Sequence, residues 1–111
     1  MSRVLITALG MVVALALSTS AFAQASVEKG KALYEAQKCS LCHSIDGKGN
    51  AKGPLDSVGK KPIAEVKKWI TDPKAMTAEK KAERKPFMKE YKSLSAEEVD
   101  SIVAYMMTLK K

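Results

Sequence analysis

The segment KCSLCHS, residues 38–44, contains both cysteines of the chain and its only histidine. Two residues separate Cys39 from Cys42, and His43 follows the second cysteine directly. A disulfide between thiols so close in sequence would close a very short loop and would restrict the unfolded chain little. The spacing therefore indicates a chemical role for the thiols and the imidazole rather than a stabilising crosslink.

Three kinds of site use cysteines at this spacing. A thioredoxin-like redox pair needs a βαβ setting, and the sequence shows no convincing strand. A zinc site needs four ligands, whereas Cys39, Cys42 and His43 supply only three. The third kind is a c-type haem-attachment site, in which two thiols add to the two vinyl groups of haem and the next imidazole reaches the iron. The C-x-x-C-H pattern favours this third kind and predicts one covalently bound haem c.

Residues 1–23 have the features of a cleaved signal peptide. Arg3 provides a positive start, and an apolar run follows over residues 4–17. Three hydroxyl residues, 18–20, then lead into the small-x-small sequence AFA that ends at Ala23. A membrane anchor is the competing interpretation, but the apolar run is shorter than the ~20 residues that a span needs. We expect cleavage after Ala23, with Ala25 as the alternative, and export to the periplasm without stable membrane insertion. Residues 24–111 then form a single domain.

The mature chain is small for a self-sufficient apolar core. Removal of the signal peptide leaves 111 − 23 = 88 residues, and domains of this size bury a limited core. Small exported domains commonly compensate with disulfides, a metal or a cofactor. Since a disulfide would contribute little here, a cofactor is the expected compensation.

The charge of the mature chain is strongly basic. The formal net charge of +7 falls to about +6 when Arg3 leaves with the signal peptide. The lysines are spread along the sequence, and few aromatic residues are interleaved with them, which argues against nucleic acid as a partner. A basic surface favours redox proteins with acidic docking surfaces.

Two longer segments share the pattern of a known family. Residues 30–59, GKALYEAQKCSLCHSIDGKGNAKGPLDSVG, and residues 94–110, LSAEEVDSIVAYMMTLK, resemble bacterial class I cytochromes c. The resemblance implies a mono-haem protein with an all-α fold, in which three to five helices surround a covalently bound haem that replaces most of the apolar core. It also implies thioether bonds from Cys39 and Cys42 and iron ligation by His43.

Helix signals occur in three parts of the mature chain. Ser26 is a suitable N-cap for a first helix that runs to about residue 38. A middle helix is expected over residues 63–70, after a proline that favours helix starts. Ser95 and Glu98 form a capping box at the start of the last helix.

The first and last helices are expected to cross. Gly30 and Tyr34 lie four residues apart and so share one face of the first helix. A glycine within a helix costs about 1 kcal/mol relative to alanine, so close packing is the preferred reason for its presence. In the family that the chain resembles, the two helices cross near such a glycine, and Gly30, Tyr34, Ile102 and Tyr105 match that contact.

The resemblance also implies contacts around the haem. The turn at residues 53–55 is similar to the family's turn beneath the haem, where a proline carbonyl accepts a hydrogen bond from the second nitrogen of the ligand histidine. We therefore expect the carbonyl of Pro54 to orient His43. Trp69 lies on the apolar side of the middle helix, where it either contacts the haem or a propionate or simply belongs to the core.

The second iron ligand is expected to be a methionine. His43 is the only histidine, so a bis-histidine haem within one chain is impossible, and methionine is the usual replacement. Of the six methionines, two leave with the signal peptide and two belong to the last helix. Met76 and Met88 remain as candidates. A lysine, a water or an open coordination position is also compatible with the sequence.

The family pattern favours Met88 over Met76. In the family, an aromatic residue follows the ligand after three residues, and the Leu-Ser start of the last helix follows shortly after. Tyr91 and residues 94–95 match those positions. The match departs from the pattern at Lys89, where the family usually has a proline.

These observations predict a periplasmic electron-transfer protein that shuttles single electrons between redox partner proteins, as a monomer or a weakly associated species. No group in the mature chain resembles a catalytic acid–base pair, a nucleophile or a substrate pocket, so we do not expect an independent enzyme. Two further functions stay open. The chain could be the haem c subunit of a periplasmic oxidoreductase complex, or a gas-binding or sensor haem protein if the sixth ligand is labile.

Overall fold

The computed structural model describes residues 26–111, and helices form most of the regular structure there. Helix α1 includes residues 26–36. The three helices that follow are α2 (Ile63–Thr71), α3 (Pro73–Glu79) and α4 (Ala96–Met106). This arrangement confirms the expected all-α class. The predicted signal peptide and its cleavage site lie outside the described residues, and within residues 26–111 no helix is long and apolar enough to cross a bilayer.

A short hairpin interrupts the helical architecture between α1 and α2. Strands β1 (Ser44–Ile45) and β2 (Lys48–Gly49) pair in antiparallel register. Asp46 and Gly47 connect them with φ angles of 52° and 78°. An Asp-Gly pair favours such a two-residue turn, although no strand was expected from the sequence. The hairpin lies directly after His43, so it fixes the backbone that leaves the CSLCH turn.

Helix α4 lies at the centre of the apolar core. Among the described residues 26–111, it supplies four of the seven side chains in the main buried cluster, and α1 and α2 supply the others. The members of the cluster are Tyr34, Val66, Ile70, Val99, Ile102, Val103 and Met106. The apolar stripe predicted on the last helix is therefore the surface on which α1 and α2 pack.

Local capping explains where α3 and α4 begin. At α4, the Ser95 hydroxyl accepts a hydrogen bond from the Glu98 amide, and the Glu98 carboxylate accepts one from the Ser95 amide, which confirms the predicted capping box. At α3, the Asp72 carboxylate accepts a hydrogen bond from the amide of Ala75 at 3.2 Å. Helix α3 was not predicted, because the sequence pattern at Asp72 and Pro73 indicated only the end of the middle helix, whereas these residues are the N-cap and first turn of α3.

Gly30 allows α1 to approach α4 closely. A Cβ atom added at Gly30 would collide with the backbone carbonyl of Ser101 and would lie 2.9 Å from Cβ of Tyr105. Next to this contact, the rings of Tyr34 and Tyr105 meet edge to face, with centroids 6.0 Å apart. The crossing expected for the first and last helices is thus present, and it requires glycine at position 30.

Burial of Tyr34 predicts a loss of stability in alkaline solution. Its hydroxyl is buried without a hydrogen-bond partner within residues 26–111, and burial is the main reason that its pKa rises from 10.0 to about 12. Between these pH values the folded chain binds more protons than the unfolded chain, so the free energy of unfolding falls as the pH rises. Phenylalanine has no ionisable group, so Tyr34→Phe lacks this pH-dependent fall in the free energy of unfolding.

We expect Tyr34→Phe to be at least as stable as the wild type at pH 7, because a buried hydroxyl without a partner carries an uncompensated desolvation penalty. We also expect the variant to lose less stability than the wild type between pH 9 and pH 11. Denaturant unfolding of both proteins at the three pH values measures the difference. Equal losses in the two proteins would contradict the prediction.

Candidate functional site

The CSLCH segment folds into a single tight turn after α1. Lys38 adopts a left-handed conformation with φ of 57°, and a 3-10 helix then covers Cys39–Leu41. The amides of Cys42 and His43 both donate to the carbonyl of Cys39, at 3.1 and 3.0 Å. Both cysteines are free thiols. The turn therefore brings the two thiols and the imidazole together on one rigid piece of backbone.

The environment of Cys39 differs from that of an activated redox thiol. Burial raises its pKa, and a hydrogen bond with the Tyr91 side chain offsets this rise only in part. Reactive thiols of the thioredoxin kind have lowered pKa values instead. Within residues 26–111, no group of three or more His, Cys, Asp or Glu side chains could hold a metal ion. Haem attachment is the interpretation that these features favour.

The imidazole of His43 is held by a backbone carbonyl. Its Nδ1 donates to the carbonyl oxygen of Gly53 at 3.0 Å. Since a carbonyl can only accept, Nδ1 carries the proton, and Nε2 is left as the nitrogen available for a metal. Burial lowers the pKa of His43, and the charge of Arg84 lowers it further, against the opposing effect of the Gly53 carbonyl. The neutral ring is the form that binds iron.

The acceptor of this hydrogen bond is Gly53, whereas the sequence had led us to expect Pro54. The amide of Ser44 also donates to the Gly53 carbonyl, at 3.0 Å, while the carbonyl of Ser44 accepts from Leu55 at 2.8 Å. Successive carbonyls of an extended segment point in opposite directions. The Gly53 carbonyl thus faces His43, and the Pro54 carbonyl does not occupy that position.

The structure separates the two candidate methionines. Met88 is half-buried and lines a small cleft with Cys39, Tyr91 and Ile102. Met76 is 2% exposed on α3 and lines a different groove, between α2 and α3. Of the two, therefore, it is Met88 that shares a cleft with one of the attachment thiols.

Pro54 and Trp69, the two residues expected to contact the haem, differ in exposure. Pro54 is exposed and forms a parallel bridge with Ser44, next to the CSLCH turn. Trp69 lies on α2 and is half-buried, whereas Val66 and Ile70 on the same helix are buried. A haem contact of either residue stays a prediction.

Two residues of the site were missed in the sequence. Gly53 was recognised only as part of a turn, although it supplies the carbonyl for His43. Arg84 donates from Nη2 to the carbonyl of Cys42 at 2.6 Å, across 42 positions of sequence. For Gly53 the Gly-Pro turn was a usable signal. Arg84 is the only arginine after residue 23, but nothing in the local pattern indicates which group it contacts.

The donor set fits a c-type haem. Two free thiols at the vinyl spacing are available for covalent attachment, and a neutral imidazole with its Nδ1 engaged is suited to iron ligation. A thioether lies in the same cleft as the first thiol. Together with the helical fold, these groups define a protein that attaches haem covalently.

Comparison with known proteins agrees with this class. The family model for cytochrome c matches residues 27–110. The chain belongs to the cytochrome c family and is a class I c-type cytochrome with covalently bound haem c, in the electron-transfer class of haem proteins.

One relative extends the comparison. The chain is 25% identical over 92 residues to cytochrome c oxidase subunit 2 of Alkalihalophilus pseudofirmus, a match that covers 74% of this chain and 25% of that protein. The chain thus spans about a quarter of the length of this relative. No solved structure matches the chain.

Proposed function

We propose that this chain is an exported carrier of single electrons between redox proteins. In this proposal, residues 1–23 direct export to the periplasm and are removed after Ala23 or, alternatively, Ala25, which leaves residues 24–111 as the working domain. The observation that carries the proposal is the geometry of the CSLCH turn, in which His43 donates to the Gly53 carbonyl and keeps Nε2 for iron.

We assign the haem contacts to four residues. Cys39 and Cys42 would form the thioether bonds to the haem, and His43 and Met88 would hold its iron. When bound, the haem supplies a ferric/ferrous couple whose potential is raised by methionine ligation. The Gly53 carbonyl keeps the His43 ring in one orientation and one tautomer. Two ligands that remain in place in both oxidation states need little rearrangement during electron transfer.

The basic segment next to Met88 is the proposed docking surface. Residues 80–92 contain six Lys or Arg and two Asp or Glu, a net charge of 6 − 2 = +4. The ammonium of Lys89 lies 5.0 Å from the centre of the Tyr91 ring, and that of Lys85 lies 5.9 Å from the Phe87 ring. These contacts keep positive charge beside the ligand methionine, where an acidic partner would bring its redox group.

Charge reversal within this segment tests the docking surface. We expect Lys81→Glu with Lys85→Glu to slow oxidation of the ferrous protein by ferricyanide, an anion, by about tenfold at low salt. Oxidation by a cationic cobalt complex should become faster. Both effects should decline as ionic strength rises above ~0.1 M, where the screening length is about 10 Å. Stopped-flow absorbance at the haem bands measures the rates.

A matched double variant outside the segment serves as the control. Lys31 on α1 and Lys60, the last residue of a short 3-10 helix (Val58–Lys60), are both exposed. Lys31→Glu with Lys60→Glu changes the net charge by the same amount, so it should alter the two rates much less. Equal effects of the two double variants would show that only net charge matters, and would contradict a docking surface at residues 80–92.

A second candidate function is that of haem c subunit in an oxidoreductase complex. The similarity to a cytochrome c oxidase subunit favours it, since the shared region is a quarter of that subunit. A carrier should purify alone after export, whereas a subunit should remain with a stoichiometric partner through gel filtration. Purification from the native periplasm and membrane fractions distinguishes the two.

A further inference from the structure

One cation connects the segment before Met88 with the haem-attachment turn. Arg84 lies four residues before Met88, and its Nη2 donates to the carbonyl of Cys42 at 2.6 Å. That carbonyl lies between the second attachment thiol and His43 in the sequence. A hydrogen bond from a guanidinium is charge-assisted and is about twice as strong as a neutral one.

The guanidinium also packs against the residue that orients His43. A Cβ atom added at Gly53 would collide with Nη1 of Arg84 and with the Cys42 carbonyl, and would lie 3.0 Å from Nδ1 of His43. The absence of a side chain at Gly53 therefore makes room for the guanidinium. Arg84, the Cys42 carbonyl and the His43 hydrogen bond form one contiguous contact.

Within residues 26–111, no carboxylate forms a salt bridge with Arg84. The salt bridges recorded within residues 26–111 involve six lysines, and Arg84 takes part in none of them. A guanidinium keeps its charge at any pH at which the protein folds. A permanent positive charge thus lies beside His43, where it favours the iron state of lower charge.

We propose that Arg84 is a positioning residue that fastens the Met88 segment to the haem-attachment turn and raises the reduction potential of the bound haem. The inference rests on the proposed ligation by Met88. The hydrogen bond to Cys42 holds residues 84–88 against the haem-attachment turn. Without this bond the segment moves more freely, and Met88 dissociates from the iron more often. Independently of this hydrogen bond, the positive charge of Arg84 raises the reduction potential of the haem.

Imidazole binding to the ferric haem protein measures how often Met88 leaves. Exogenous imidazole enters only when the methionine is displaced, so its apparent affinity reports the open fraction. We expect Arg84→Gln to bind imidazole about tenfold more tightly than the wild type, as the loss of one charge-assisted hydrogen bond implies. The midpoint potential of this variant should also fall. Arg84→Lys should have the midpoint potential of the wild type, because the charge is kept. Its imidazole affinity should lie between those of the wild type and Arg84→Gln.

Lys52→Gln is the matched control. Lys52 is an exposed cation next to Gly53, and its backbone amide bonds with the side chain of Asn50. Its replacement removes one positive charge from the residue next to Gly53 without removing a hydrogen bond to Cys42. We expect a small fall in potential and no change in imidazole affinity. A similar rise in affinity for Lys52→Gln and Arg84→Gln, or an unchanged affinity in Arg84→Gln, would overturn the proposed fastening.

Met88→Ala separates failure of this inference from failure of the proposed ligation. If Met88 binds the iron, Met88→Ala binds imidazole more tightly than the wild type. If Met88→Ala and the wild type bind imidazole equally, the assumed ligation is wrong and the inference falls with it. If Met88→Ala binds more tightly but Arg84→Gln does not, the ligation stands and the role of Arg84 is wrong.

Discussion

We expect Met88→Ala to abolish the far-red methionine–iron absorption band and to let the ferrous protein bind CO, whereas Met76→Ala does neither. Met88 shares a cleft with Cys39, while Met76 lies in the groove between α2 and α3. Loss of a thioether ligand should also lower the midpoint potential by on the order of 0.1 V. Visible spectra of the oxidised, reduced and CO-treated proteins, produced in a host that attaches haem, measure these effects.

Met76→Ala is the matched control for this experiment. Its side chain is 2% exposed, so truncation should reduce the free energy of unfolding by about 2 to 5 kcal/mol while the spectrum stays unchanged. Loss of the band only in Met76→Ala would move the ligand to α3. If the wild type itself lacks the band and binds CO readily, the iron is open, and ligand binding rather than electron transfer becomes the function.

We also expect Gly30→Ala to lower the free energy of unfolding. The added methyl group would overlap the backbone carbonyl of Ser101, which cannot move without displacing α4. Alanine is the better helix former by about 1 kcal/mol, but overpacking of a tight helix contact costs about 1 to 3 kcal/mol and sometimes more. We therefore expect a net loss of up to about 2 kcal/mol in the free energy of unfolding, measured by denaturant titration of the haem protein.

Gly47→Ala separates crowding from backbone preference. Gly47 has a φ of 78°, and within residues 26–111 no atom beyond its chain neighbours lies within 4 Å of an added Cβ. Its replacement strains the backbone by about 1 kcal/mol without any steric overlap. Gly30, by contrast, lies within α1 and has no backbone requirement for glycine. A Gly30→Ala variant as stable as the wild type would show that α1 moves to accept the methyl group, and that the crossing is not tightly packed.

The attachment site could be predicted from sequence because its chemistry is local. The two thiols and His43 are adjacent, and one 3-10 turn positions all three. The capping box at Ser95 is equally local, since its hydrogen bonds join residues three positions apart. The hairpin at Asp46 and Gly47 had a local signal as well, but its strands contain only two residues each and lack a hydrophobic alternation.

Contacts between distant segments could not be predicted in the same way. Arg84 reaches the Cys42 carbonyl across 42 positions, and although it is the only arginine after residue 23, nothing in its own segment indicates that partner. The choice of the Gly53 carbonyl over that of Pro54 depends on the direction of one peptide group, which the hydrogen bonds of Ser44 determine. A one-residue change of register would reverse that direction.

The sequence by itself determined that this protein attaches one haem, that His43 is the candidate iron ligand beside the attachment thiols and that helices dominate the fold. The first two conclusions depend on residue identity and on spacings within a single turn of backbone, and the third depends on helix signals and on the resemblance of residues 30–59 and 94–110. Only the tertiary structure decided which carbonyl orients His43, which methionine lies beside Cys39 and which cation touches the attachment turn. Each of these depends on how separate segments pack around α4, and packing is a property of the whole chain rather than of any short pattern.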